Sequence, residues 1–131
     1  MSDSVFTKII RAEIPCHKVY EDAHTFAFMD IHPIQPGQVL LVTKNPAESI
    51  LDLPDDDYTA LWAAARRIAA KMKQVFPDKK RIGFMVEGLE VPHTHVKIFP
   101  INTGEEYRAH PNMAAQPNHK ELAEMAAKLA F

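Results

Sequence analysis

A single cysteine, Cys16, has no second thiol to pair with, so no intrachain disulfide can hold this chain, as suits a reducing compartment. An excess of charge of one sign is also lacking: 15 Lys and Arg stand against 17 Asp and Glu, a formal net charge of −2. So even a balance gives no global attraction to nucleic acid or an anionic membrane, and a phosphate site would have to be local. The longest strongly aliphatic run, residues 39–42, is far too short to span a bilayer, and Met1-Ser2-Asp3-Ser4 lacks the charged-then-apolar pattern of a signal peptide. Neither nucleic acid nor membrane is an expected partner, and a cytoplasmic location is the expectation. Internal repeats and low-complexity segments are missing too. What remains is 131 residues, enough for one domain with a proper core and no structural metal.

Apolar spacing marks the elements. Residues 6–10 form a short apolar piece, expected as a helical turn that ends before Pro15. Residues 17–20 and 25–30 read as two strands of a hairpin, and residues 38–43 as a third, more buried strand beyond the proline and glycine loop at 32–37. Asn45-Pro46-Ala47-Glu48 has a cap residue, a proline at the first helical position and an acid three residues after the cap, which predicts a brief helix there. Leu61, Trp62, Ala65, Ile68, Ala69, Met72, Val75 and Phe76 follow helical spacing within a long helix from Asp55 to about Phe76. Its acidic start (Asp55, Asp56, Asp57) and its late Lys71 and Lys73 suit the helix dipole. Residues 81–86 and 96–101 are the fourth and fifth strands. Residues 102–117 read as polar and irregular, before a final amphipathic helix that starts at Asn118 and carries Leu122, Met125, Ala126 and Leu129 on one side. Strands with one long inserted helix argue for an antiparallel α+β domain.

The chemistry concentrates in His93-Thr94-His95-Val96-Lys97-Ile98-Phe99-Pro100. If this segment is extended from its first residue, alternation places His93, His95 and Lys97 on one face and Thr94, Val96 and Ile98 in the core. Two imidazoles and an ammonium on one face suit an anion. Zinc ligation by His93 and His95 would need a third ligand, such as the distant His110, and a neighbouring ammonium disfavours it. Phosphorus chemistry fits better: a neutral imidazole attacks, and cationic neighbours stabilise the oxygens. Lys97 would also discourage protonation of His95. His17, His24, His32, His110 and His119 have no spacing partner and read as surface or turn residues.

Several ordered blocks accompany this motif: Val5-Phe6-Thr7-Lys8-Ile9-Ile10, Glu13-Ile14-Pro15, Val19-Tyr20-Glu21-Asp22, residues 27–33, residues 36–42 and Gly88-Leu89-Glu90-Val91-Pro92-His93-Thr94-His95. Together they resemble the histidine-triad (HIT) nucleotide-binding proteins, whose mark is His-x-His-x-His followed by two apolar residues. The resemblance implies an α+β, HIT-like fold: a five-stranded antiparallel sheet, commonly paired into a ten-stranded homodimer. It divides the chain into a HIT domain, residues 4–104, and a C-terminal extension, residues 105–131, whose helix packs on the domain or the dimer partner. It also implies a purine nucleotide hydrolase or transferase that cleaves nucleoside monophosphate from phosphoramidate or phosphoanhydride substrates through a nucleotidyl-histidine, with no cofactor and no catalytic metal. The alternative is a nucleotide-binding protein with little or no turnover.

By position in the family pattern, His95 is the nucleophile and His93 the triad member whose backbone carbonyl orients it. Phe6, Ile9, Phe28, Asp30 and Ile31 form the nucleoside pocket, Asp30 holding ribose hydroxyls, and Gln38, Leu89 and Glu90 complete the nucleotide site. Four departures stand out. Lys97 replaces the third triad histidine, Gln38 another common histidine, Val86 lies near a common phosphate-contacting asparagine, and Glu90 takes the place of a serine that helps the leaving group. A carboxylate beside phosphate is unfavourable, so Glu90 points away, pairs with Lys97 or His93, or acts as a protonated donor, and pairing is the expectation. Ser4 and Thr7 stand where many bacterial relatives carry a zinc-binding Cys-x-x-Cys, so that zinc site is not expected.

Overall fold

The computed structural model describes residues 3–131; Met1 and Ser2, half of the stretch read for a leader pattern, lie outside the described residues. Five strands form one antiparallel sheet: β1 (Lys18–Glu21), β2 (Thr25–Met29), β3 (Val39–Thr43), β4 (Arg81–Met85) and β5 (His95–Ile101), in the order β1-β2-β3-β5-β4. Four helices accompany it: α1 (Val5–Ile10), α2 (Asp55–Val75), α3 (Gly104–Arg108) and α4 (His119–Leu129). None is both long and apolar enough to cross a membrane.

Every residue of β2 and β3 is buried because both sheet faces are covered, and alternation sorts their side chains. Ala27, Met29, Val39, Leu41, Val96 and Ile98 pack against Leu61, Ala64, Ala65, Ile68 and Met72 of α2 and against Ala126 and Leu129 of α4. Phe26, Phe28, Leu40 and Val42 point the other way and pack under Phe6 and Ile9 of α1. The second face is shared with the polar site, so α1 is both core and lid. Ser4 caps α1, its Oγ accepting from the Thr7 N–H at 3.1 Å. Past the Arg11 cap, Ala12 at φ 62° lets the Glu13 N–H reach back to the Lys8 carbonyl at 2.9 Å.

The long helix and the Asn118-capped final helix match their sequence patterns, and the strands agree within about a residue at their ends. The helix expected at residues 45–48 does not form. Asn45 Oδ1 accepts from the Ala47 N–H in a local turn, and the Ala47 carbonyl accepts from both the N–H and the hydroxyl of Thr94. With its side-chain and main-chain groups committed in this way, the segment passes to a 3₁₀ turn, Ile50–Asp52, capped by Ser49 instead. Residues 102–117 are not wholly irregular either. Thr103 and Glu106 make a reciprocal capping box that starts α3.

Candidate functional site

Strand β5 begins at His95, and this corrects the reading that put three polar residues at alternate strand positions. His93 lies in the bend before the strand, its N–H donating to the Val91 carbonyl at 2.8 Å. The bend turns the two imidazoles to different tasks. His95 Nδ1 sits 2.7 Å from the His93 carbonyl oxygen. A carbonyl only accepts, so Nδ1 carries the proton and Nε2 keeps its lone pair. His93 is locked by the same logic: Nε2 donates to the Thr43 carbonyl at 2.6 Å, and Nδ1 accepts from the Ser4 hydroxyl at 2.6 Å. Thr7 Oγ1 lies 3.4 Å from the same nitrogen. With both ring nitrogens engaged, His93 is a poor metal ligand, and among the described residues no group of three or more His, Cys, Asp or Glu is placed to hold a metal ion. Phe6 meets both rings edge-on, with centroids 5.8 Å from His93 and 4.9 Å from His95.

Burial pulls the pKa of His93 below the ordinary imidazole range, against the opposing bond to Thr43. Burial also lowers that of His95; the His93 carbonyl opposes this, and the Lys97 charge adds to it. Both rings are therefore neutral at neutral pH. The unfolded chain holds histidine near its usual value of about 6.5, so below that pH it binds more protons than the fold does. The stability contributed by these depressed histidines is full above about pH 6.5 and is lost as pH falls through their native values. Chemical denaturation at pH 7.5 and 5.5 should give a lower midpoint at 5.5, with a smaller drop in His93→Gln. A wild-type midpoint that stays level or rises on acidification would contradict this.

At the far end of β2, Asp30 and Gln38 form a second locked pair. Gln38, 1% exposed, donates through Nε2 to Asp30 Oδ2 at 2.8 Å and accepts the Ile34 N–H at 2.8 Å. Asp30 Oδ1 accepts the His32 N–H at 2.8 Å. Burial raises the Asp30 pKa, and the His32 N–H, the Lys97 charge and Gln38 offset this only in part. Gln38 thus fixes a carboxylate whose remaining lone pairs can accept hydroxyl protons.

Lys97 does not pair with Glu90 or His93. Its Nζ lies 3.2 Å from Glu87 Oε1. Gly88, at φ 68°, turns the chain so that the Leu89 N–H donates to Glu87 Oε2 at 3.3 Å. Burial pushes the Glu87 carboxyl up, but the bond and charge of Lys97 outweigh it and hold the group below its usual range. The Glu90 expectation fails because the turn at Gly88 brings back Glu87, not Glu90, over β5.

These groups line one cleft of about 830 Å³, within the usual range for ligand sites. Phe6, Ile9, Phe28, Asp30, Ile31, Gln38, Glu90, His95 and Lys97 all border it. His93 lies behind His95, outside the lining, and Leu89 stands outside it at 85% exposure. Sequence reasoning missed the outer wall. Tyr107 stacks on Phe99 at 5.6 Å and donates its hydroxyl to the Phe84 carbonyl at 2.7 Å, which sets Arg108 and His110 at the cleft. His17 and His119, read as unpartnered, hydrogen-bond to each other at 2.9 Å and also border it. The Thr103-x-x-Glu106 capping box was the one available signal for this wall.

Comparison with known proteins places these features in a family. The model of the HIT domain matches residues 11–104. A HIT-like protein of Methanocaldococcus jannaschii is 36% identical over 104 residues, 77% of this chain and 81% of that protein. An adenosine 5′-monophosphoramidase of Saccharomyces cerevisiae is 32% identical over 96 residues, 73% of this chain and 61% of the yeast protein. The crystal structure of a HIT-like protein involved in cell-cycle regulation from Bartonella henselae aligns with a TM-score of 0.83 at 31% identity, covering 96% of this chain and 93% of that one. A family model that spans all five strands, joined to a shared fold over nearly the whole length, shows that the chain belongs to the histidine-triad (HIT) family.

Proposed function

We propose that the protein is a purine nucleotide hydrolase or transferase that cleaves nucleoside monophosphate from phosphoramidate or phosphoanhydride substrates through a nucleotidyl-His95 intermediate. The observation that carries this is the His95 Nδ1 bond to the His93 carbonyl, which leaves a neutral Nε2 at the cleft. The monophosphoramidase activity named for the yeast relative supports the same class of substrate. The nucleoside lies between α1 and the β2 end, its ribose hydroxyls donating to Asp30 and its base against Phe6, Ile9, Phe28 and Ile31. His95 Nε2 forms a bond to phosphorus, the bond to the leaving group breaks, and water later attacks the nucleotidyl-histidine to release the monophosphate and regenerate the imidazole. Residues 4–104 act as the domain that performs this chemistry, and residues 105–131 as an extension that closes the cleft.

The test is rapid mixing of excess protein with a purine nucleoside 5′-phosphoramidate. A stoichiometric burst of leaving group with an acid-labile phosphorus–histidine adduct is expected. The replacement of the third histidine by Lys97, with Gln38 and Val86 at two further altered positions, favours a second reading, nucleotide binding with little turnover. Tight nucleotide binding with no burst would select that reading over hydrolysis.

We also infer a homodimer joined through β4. Of the two sheet edges, β1 carries the Lys18–Glu21 ion pair, and its Val19 carbonyl accepts the Phe131 N–H, whereas β4, with Phe84 38% exposed, pairs with no further strand and meets the Tyr107 hydroxyl at its Phe84 carbonyl. Pairing β4 with a second copy makes a ten-stranded sheet. Sedimentation equilibrium should give twice the 14.8 kDa chain mass, and Phe84→Lys should shift it to the single-chain value. A wild type that sediments at the single mass at micromolar concentration would rule out the dimer.

A further inference from the structure

A leaving amine or alkoxide departs well only if it receives a proton, and His95 cannot supply one, because its Nε2 is the attacking atom and its Nδ1 proton is held by the His93 carbonyl. The side chain two residues further along the same strand face is Lys97, whose position about 6.6 Å along β5 suits the group beyond the phosphorus. Lys97 is 19% exposed in its side chain, borders the cleft, and is held by Glu87 at 3.2 Å. Glu87 is itself held in place by the Leu89 N–H. We propose that Lys97 and Glu87 act as a pair in the position of the third triad histidine, Lys97 protonating the leaving group and Glu87 holding its ammonium aimed.

This inference rests on the nucleotidyl-transfer reading above and adds its proton path. In the first step the Nε2 lone pair of His95 forms the N–P bond, the pair of the breaking P–N or P–O bond goes to the leaving atom, and a Lys97 proton goes to that atom. Lys97 is left as a neutral amine. In the second step that amine takes a proton from the attacking water, the new O–P bond forms, and the N–P pair returns to His95 Nε2. Lys97 ends as ammonium, and atoms and charge balance over the cycle. The charged and titratable groups around Lys97 are Glu87 from the β4–β5 connection, Asp30 from the end of β2 and His95 on its own strand. Its register neighbours, Leu40 on β3 and Met85 on β4, do not titrate, and Arg108 of α3 borders the same cleft. Glu87 is a positioning residue in this scheme, since it acts through Lys97.

Two substrates separate proton donation from general electrostatics: a purine nucleoside 5′-phosphoramidate of an alkylamine, which needs a proton to leave, and the p-nitrophenyl ester of the same nucleotide, which does not. With Glu87→Gln, single-turnover release of the amine should slow by about tenfold and release of p-nitrophenolate by less than about threefold, with Glu87→Asp recovering part of the loss. Lys97→Met should widen the gap to about 100-fold. The affinity for the nucleoside monophosphate should stay within about twofold in Glu87→Gln. Equal slowing of both substrates, or none of either, would overturn the pair while leaving nucleotidyl transfer intact. Failure of the wild type to form an adduct with either substrate would remove the transfer reading, and this inference with it.

Discussion

His95→Ala should abolish the burst of leaving group and the acid-labile adduct, with single-turnover rates down by about 10³-fold or more. Neither neighbour in the motif can take over the attack. His93 is tied at both ring nitrogens and lies behind the lining, and Lys97 faces Glu87. The proposed nucleoside contacts at Phe6, Phe28 and Asp30 come from α1, β2 and the residue that follows β2, none of which is removed, so nucleotide affinity should stay within a few fold, on the order of 1 kcal/mol or less, although Phe6 loses its edge-on contact with the His95 ring. That split between chemistry and binding is the decisive feature. Turnover that persists in His95→Ala, with an adduct on another residue, would show that the Nδ1 bond to the His93 carbonyl does not mark the nucleophile.

Leu41→Ala should cost about 2 to 5 kcal/mol of folding stability, read as a lower midpoint in urea with an unchanged slope. Leu41 is 0% exposed and lies in the central strand β3, opposite Ala27 of β2 and Val96 of β5. Its side chain enters the core beneath α2, where Ile68 and Met72 also lie fully buried. Strands on both sides are hydrogen-bonded to β3, so the sheet cannot collapse readily into the space that three lost carbons would leave. A domain of this kind holds about 5 to 15 kcal/mol in all, so the loss is a large share. Leu41→Met keeps most of the volume and should cost less than about 1.5 kcal/mol. If Leu41→Ala shifts the midpoint no more than Leu41→Met does, α2 is not packed on β3 as described.

Where the physics is local, the sequence told the fold well. The Asp55–Val75 helix has apolar residues at helical spacing, acids at its start and no proline inside, and each of these acts within a turn or two. The final helix follows from Asn118, whose Oδ1 accepts the Glu121 N–H at 3.1 Å. The helix expected at residues 45–48 shows the limit of such signals. Its cap pattern was sound, but Thr94, 47 residues away, claims the Ala47 carbonyl, and a contact at that separation leaves no trace in the local pattern. The start of β5 was blurred for a similar reason: period-two alternation runs through His93, while the bend is set by the Thr43 and Ser4 contacts of its ring.

By itself, the sequence determined the α+β class, the five strands, the two amphipathic helices, the family and the concentration of chemistry at His93, His95 and Lys97, because periodicity, caps and motif spacing are properties of neighbours along the chain. Long-range packing set the rest: the His93 carbonyl engages His95 Nδ1, Gln38 fixes Asp30, Lys97 answers to Glu87 and not Glu90, and Tyr107 and Arg108 supply the outer wall. Tautomers, ion pairs and cleft walls depend on which distant groups share a few ångströms of poorly solvated space, and those distances exist only after the chain has closed on itself.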